Sequence, residues 1–170
     1  LRSDPVTPGK LLIVLAGAVF GSGFGFILGA LTMFVSAIIT AGIGPWLPFQ
    51  MFGLAWVGAG AGVVGRLFGR SLRAQIVALA VYGCVVGFAF GALLNLWFWP
   101  FAAPTGSAAA YDPAASAPEN IASYARFYVA TSLGWDLLRA IGNVIMTVVA
   151  GPPILHSLKR AASRANFATT

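Results

Sequence analysis

Two stretches without a single charged side chain limit what this chain can become. None occurs from Leu11 to Gly65, and none from Ala74 to Tyr111. Between Ala140 and Leu158 the only titratable group is His156. Apolar runs beyond about 18 residues without charge are long enough to cross a bilayer as helices. With 59% hydrophobic and 8% charged residues over 170 positions, there is too little charge to clothe a water-soluble globule. A soluble enzyme, a disulfide-built secreted domain and a disordered tail are excluded. The class is all-α: a polytopic integral membrane helical bundle forming one transmembrane domain over 1–170.

The formal net charge of +6 does not describe a nucleic-acid surface. The basic residues gather at Arg66, Arg70 and Arg73 and again at Lys159, Arg160 and Arg164. No polar and aromatic groups are interleaved with them as nucleic-acid docking needs. Such clusters between apolar runs follow the positive-inside rule and place 66–73 and the tail 159–170 in the cytoplasm. The segment 101–121 carries only Asp112 and Glu119 and reads as the outside loop. Cys84 is the single cysteine, so no internal disulfide can form.

Residues 1–10, with Pro5, Pro8 and Gly9, form a polar, helix-breaking lead-in. The Gly21-Ser22-Gly23 cluster divides the next stretch into a short segment at 11–20 and a helix at 24–41. Gly42 to Pro48 breaks that helix, and another follows over 49–64. Residues 74–99 form a continuous span that Pro100 closes, and a last helix starts near Ala122 and is interrupted or ended by Gly151-Pro152-Pro153. This makes five passages and puts residues 1–10 outside. An unbroken 11–40 helix would instead put Arg2 and Lys10 inside, so the side of the N-terminus stays open.

Glycines recur at helical spacing as Gly25/Gly29, Gly58/Gly62 and Gly83/Gly87/Gly91. Small residues at i and i+4 let helix backbones approach closely within lipid. They serve packing inside the chain or a face for another membrane subunit, with Gly25, Gly29, Gly83, Gly87 and Gly91 as candidates for the second role. On the last helix Ser132, Asp136, Arg139, Asn143 and Thr147 follow at spacings of 4, 3, 4 and 4, so all five share one stripe. Ionisable groups in a span face the protein interior, and Asp136 and Arg139 can pair. Either they lock two helices together or the stripe lines a polar pocket in which Arg139 and Asn143 donate to a solute. Asn95 is a second intramembrane polar group, and Trp97, Trp135 and Tyr128 are aromatic surfaces for a flat ligand or for packing.

Catalytic patterns are nearly absent. There is no His-Glu-x-x-His and no phosphate-binding loop, and one Cys with one His cannot make a zinc site. No metal, no cofactor and no ATP hydrolysis by this chain are expected.

The run from Leu15 to Thr32 contains a Phe20-Gly21-Ser22-Gly23-Phe24 turn followed by Gly25-x-x-x-Gly29-Ala30-Leu31. It resembles the signature of the S components, the substrate-binding subunits of energy-coupling factor (ECF) transporters. Gly44-Pro45-Trp46-Leu47-Pro48, Asn95-Leu96-Trp97-Phe98-Trp99-Pro100 and Ser132-Leu133-Gly134-Trp135-Asp136-Leu137 extend the likeness, in particular to a branch found in high-GC bacteria. The resemblance covers residues 11–160. It implies a six-helix protein of the bacterial cytoplasmic membrane that binds a vitamin-like solute near its outer face. Its partners would be a T component and two cytoplasmic ATPases, within the lipid bilayer.

Five passages against six, and an opening Leu rather than Met, give the expectation that a first helix is missing. Combined with the residue pattern, the resemblance predicts a pocket in which the stripe from Ser132 through Asp136 and Arg139 to Asn143 faces Asn95, with Trp97 and Trp135 as aromatic surfaces. Trp46 and Gln50 would form its lid. The competing reading is a non-transporting membrane scaffold whose glycine faces and ion pair exist only for packing. A stand-alone facilitator that needs no ATPase is a third.

Overall fold

The computed structural model describes residues 8–165. The first seven residues of the lead-in and the last five of the tail lie outside the described residues. Six helices occur among the described residues: α1 Pro8–Phe20, α2 Ser22–Ile39, α3 Leu47–Phe68, α4 Leu72–Ala102, α5 Ala117–Thr131 and α6 Leu133–Arg164. Four of them (α2, α3, α4 and α6) are long and apolar enough to cross a membrane, and α1 is a shorter apolar helix. These five coincide with the expected passages, and α5 is the helix that the sequence reading did not resolve.

The break between α1 and α2 falls on Gly21, whose φ of 93° is open to glycine and strained for other residues. Other boundaries move. Helix α3 starts at Leu47 rather than 49, because Pro48 sits in the first turn where a missing N–H costs nothing. It runs on through Arg66, and α4 already contains Arg73, so the basic loop narrows from 66–73 to 69–71.

Pro100 does not end α4, which continues to Ala102. Trp99 beside it is buried and donates its ring N–H to the Ala109 carbonyl at 2.7 Å, anchoring the end of the helix. The outer loop accordingly shrinks from 101–121 to 103–116. The last expected helix is two, divided at Ser132.

Nor do Pro152 and Pro153 end α6, which runs to Arg164. Two prolines remove two helical donors. The helix persists because Thr147, Gly151 and Leu155 are buried on one face, where α1 and α4 hold it.

Helix α1 is apolar around most of its circumference, and such a helix belongs inside. Ile13 and Leu15 are fully buried, and α1 packs against α2, α3 and α6. Two tight groups result. Helices α1, α2 and α3 meet through glycines, with Gly17 and Gly25 both against the Gly58 carbonyl and Gly29 against that of Leu54. In the second group α6 lies along the glycine face of α4, and α5 touches both at the margin. Contacts of α1 with α6 and of α3 with α4 join the groups along a seam.

Large apolar side chains point outward, among them Ile27, Ile39, Trp56 and Val149. That pattern suits a lipid surround. The fold brings both basic clusters to one end, where Lys159 Nζ donates to the buried Gln75 Oε1 at 2.6 Å.

At the other end, α5 opens on a capping box. The Glu119 carboxylate accepts from the Ser116 backbone N–H at 2.8 Å and its hydroxyl at 2.7 Å. Those bonds hold Glu119 below its ordinary carboxylate range. A folded-state pKa below the unfolded one gives stability that is present above the unfolded value and lost as pH falls through the folded one. Acidification below pH 4.5 is therefore expected to fray the first turn of α5. Amide exchange of residues 119–122, measured at pH 6 and near pH 3, would show protection dropping at the acid end. Equal protection at both would refute the cap's contribution.

Candidate functional site

The polar stripe of α6 survives from Asp136 onward and lies against α4. A Cβ on Gly91 would run into the Asp136 carboxylate, so the glycine opens the space that this acid fills. Asp136 is buried; its Oδ1 pairs with Arg139 Nη1, and its Oδ2 accepts from the Tyr128 hydroxyl at 2.7 Å. A buried carboxylate needs such partners, because leaving either charge alone costs several kcal/mol. One turn on, Asn143 donates to the Gly83 carbonyl at 3.0 Å and lies over Gly87. Beyond it Thr147 is buried.

The aromatic surroundings continue outward. The rings of Tyr128 and Tyr124 are 6.2 Å apart, those of Tyr124 and Trp99 are 5.3 Å apart, and Trp99 meets Tyr111 of the outer loop. The Tyr124 hydroxyl donates to the Ala92 carbonyl. Asp136 is thus held from α4 and α5 together.

At the seam between the two helix groups, Arg139, Asn143 and Thr147 of α6 open onto an interior cleft. Gly83, Gly87 and Phe90 of α4 form its second wall, and Leu54 and Val57 of α3 its third. Helix α1 closes it with Lys10, Leu11 and Val14. Lys10 Nζ stands 5.3 Å from the centre of the Phe90 ring, within cation–π range. The cleft is mostly apolar with a few converging polar groups, the usual composition of a small-molecule site. Its volume of about 40 Å³ is far below a drug-sized pocket, so a larger solute enters only when the seam widens.

Of the residues predicted for a pocket, the structure brings Arg139 and Asn143 to this cleft and sets Asp136 behind Arg139. The others do not line it. Ser132 is the junction between α5 and α6, next to the Thr131 hydroxyl, and Trp135 is exposed on the outer face. Asn95 is half-buried one turn beyond Gly91, where the helix break at Ser132 has already ended the facing stripe. Trp97 stacks on Phe49 with ring centres 5.8 Å apart. Trp46 and Gln50 are half-buried at the start of α3, with the Trp46 ring folded over Gly44, and they do not cap the cleft.

The five glycines considered as a subunit face are all buried against this chain's own helices. Sequence reading missed Lys10, Phe90 and Met146 as lining, since nothing in their local spacing marks them. Thr147 was already on the stripe. Among the described residues no group of three or more His, Cys, Asp or Glu is placed to hold a metal ion.

A helical bundle with large apolar side chains turned outward and a buried ion pair beside an interior cleft defines a multi-pass membrane protein built around a polar seam. The chain belongs to the family of ECF transporter substrate-specific components, whose family model matches residues 3–151. Comparison with curated proteins and with solved structures returned no match. Membership makes the chain a substrate-binding subunit of an ECF transporter in the cell membrane, in a family of transport subunits that work with a T component and ATPases.

Proposed function

We propose that this subunit captures a vitamin-like solute in the cleft between α1, α3, α4 and α6. It then delivers the solute inward with a T component and two cytoplasmic ATPases. The observation that carries this reading is the convergence of Arg139, Asn143, Thr147 and Lys10 on an otherwise apolar interior space. Ionisable residues inside a membrane bundle mark solute pathways more than they mark stability. Six cations gather where α3 ends, α4 begins and α6 ends, which by the positive-inside rule supports a cytoplasmic location for that end and the C-terminus. The first turn of α1 and the 103–116 loop then face outward.

The scaffold alternative draws on the same Asp136–Arg139 pair, which also locks α6 in place. A mild-detergent pull-down of the tagged protein from its native membrane, with mass spectrometry of proteins and small molecules, separates the two. Co-purification of ATP-binding subunits and a retained solute is the expected result. A folded, monodisperse protein that brings down neither would favour the scaffold. The Val57→Phe substitution should fill the cleft and abolish solute retention at an overpacking cost of about 1–3 kcal/mol. Undiminished retention in that variant would move the site elsewhere.

A further inference from the structure

Resting on that reading of the cleft, we infer that the Phe90 ring is its gate and that the cleft opens first at the end where that ring lies. Along the seam, α4 sets aromatic side chains into glycine notches of α3. An added Cβ on Gly53 would stand 3.0 Å from the Phe90 ring, and one on Gly60 would fall on the Tyr82 hydroxyl. The two rings bracket the cleft, about 12 Å apart along the helix. Val57 of α3 and Gly83, Val86 and Gly87 of α4 line the space between the two seats. Helix α4 starts at the basic end, so Tyr82 is the inner seat and Phe90 the outer one.

The seats differ in what holds the ring. Tyr82 donates its hydroxyl to the Val57 carbonyl at 2.6 Å, so withdrawing it would strand a polar group inside the bundle. Behind it Leu15, Leu79 and Leu155 are fully buried and belong to one packed cluster. Phe90 is a buried hydrocarbon ring packed with Ile13 and Leu54, and turning it out strands no polar group of its own. Since residue 53 has no side chain, nothing interlocks with the ring at that position. Lys10 over the ring is partly exposed, so this seat is the one beside a side chain that reaches water. The cleft is thus closed firmly on its inner side and by a displaceable ring on its outer side. Turning that ring adds its volume to the space of about 40 Å³, which is how so small a cleft would admit a solute.

The test reads access to Thr147, which lines the cleft on α6 and is 2% exposed. Thr147→Cys is combined with Cys84→Ala, so that the chain carries a single thiol. The full chain in mild detergent is treated with hydroxyethyl methanethiosulfonate, a small neutral reagent, and the labelling rate is followed by mass spectrometry. Adding Phe90→Ala should raise that rate about tenfold or more, because truncation removes packing that the closed state alone enjoys. Tyr82→Phe, which keeps the inner ring, should stay within about twofold of the starting rate.

An unchanged rate in a folded, monodisperse Phe90→Ala protein would overturn the gate. So would an equal rise in Tyr82→Phe, which would mean that the seam loosens as a whole. If alanine does not give a folded protein, Phe90→Leu decides, because it keeps most of the apolar volume. A rise of about threefold is then expected, and no rise overturns the inference. The reagent enters an empty cleft whatever the natural solute is, so a flat rate leaves the solute-binding reading standing. That reading falls instead by the pull-down, when a folded protein retains nothing.

Discussion

Replacing Arg139 by alanine is expected to destabilise the protein by about 3–5 kcal/mol, enough to prevent its recovery as a folded monomer in detergent. Asp136 is buried at 2% exposure, wedged against Gly91 with Tyr128 on its other oxygen. Without the guanidinium its buried charge has lost its counterion, which costs several kcal/mol. The double variant Asp136→Leu with Arg139→Met removes both charges and keeps the volume, a change that is often neutral or stabilising. Thermal unfolding should therefore show a large fall for the single variant and near-complete recovery for the double.

Solute binding should not recover, because the cleft has lost the donors of Arg139. This second readout separates the two roles of the residue. If the double variant regained both stability and binding, the pair would be a lock between α6 and its neighbours and nothing more. A stable Arg139→Ala protein would mean that Asp136 is not confined as the geometry indicates.

The second large effect concerns glycines that look alike in the sequence and are not equivalent. A methyl on Gly58 would fall on the Gly25 carbonyl, and a methyl on Gly25 on the Gly58 carbonyl. In both positions the obstacle is backbone, so two whole helices must separate. Gly25→Ala and Gly58→Ala should each cost about 3 kcal/mol or more, at the upper end of overpacking penalties. At Gly83 an added Cβ meets Asn143 Cβ at 3.5 Å, an ordinary contact, and the hydrogen bond to its carbonyl is kept. Gly83→Ala should be neutral or slightly stabilising, since alanine favours the helix by about 1 kcal/mol. Melting temperatures of the three variants in one detergent would check the contrast. Small losses at Gly25 and Gly58 would show that the α2–α3 contact is looser than described, and a loss at Gly83 matching theirs that the α4–α6 face is tighter.

The family and the membrane architecture were legible before any coordinates. The charge-free runs, the two Arg/Lys clusters and the Gly21 turn are local signals, and each acts through chemistry that does not depend on the rest of the fold. The α6 stripe was legible for the same reason: Asp136, Arg139, Asn143 and Thr147 share a face through helical spacing alone. Proline misled at three places. Pro48, Pro100 and the Pro152-Pro153 pair all lie inside helices, because helix position and neighbouring packing decide whether a missing donor matters. The single-residue break at Ser132 carries neither Gly nor Pro, and it removed Ser132 and Asn95 from the expected pocket.

By itself, then, the sequence determined that the chain is a helical membrane protein of the S-component type with one ionisable stripe turned inward. Period, hydropathy and charge asymmetry act along the chain and are complete in one dimension. Which helix each face meets was decided only by the tertiary structure. It turned all five candidate interface glycines inward and set Asp136 into the notch at Gly91. It also carried Lys10 from a lead-in segment to the Phe90 ring and into the same cleft as Arg139. The physical reason is that helix association in lipid is governed by close packing and a few polar contacts. Those depend on the relative rotation and register of whole helices, which residues far apart in the chain settle jointly.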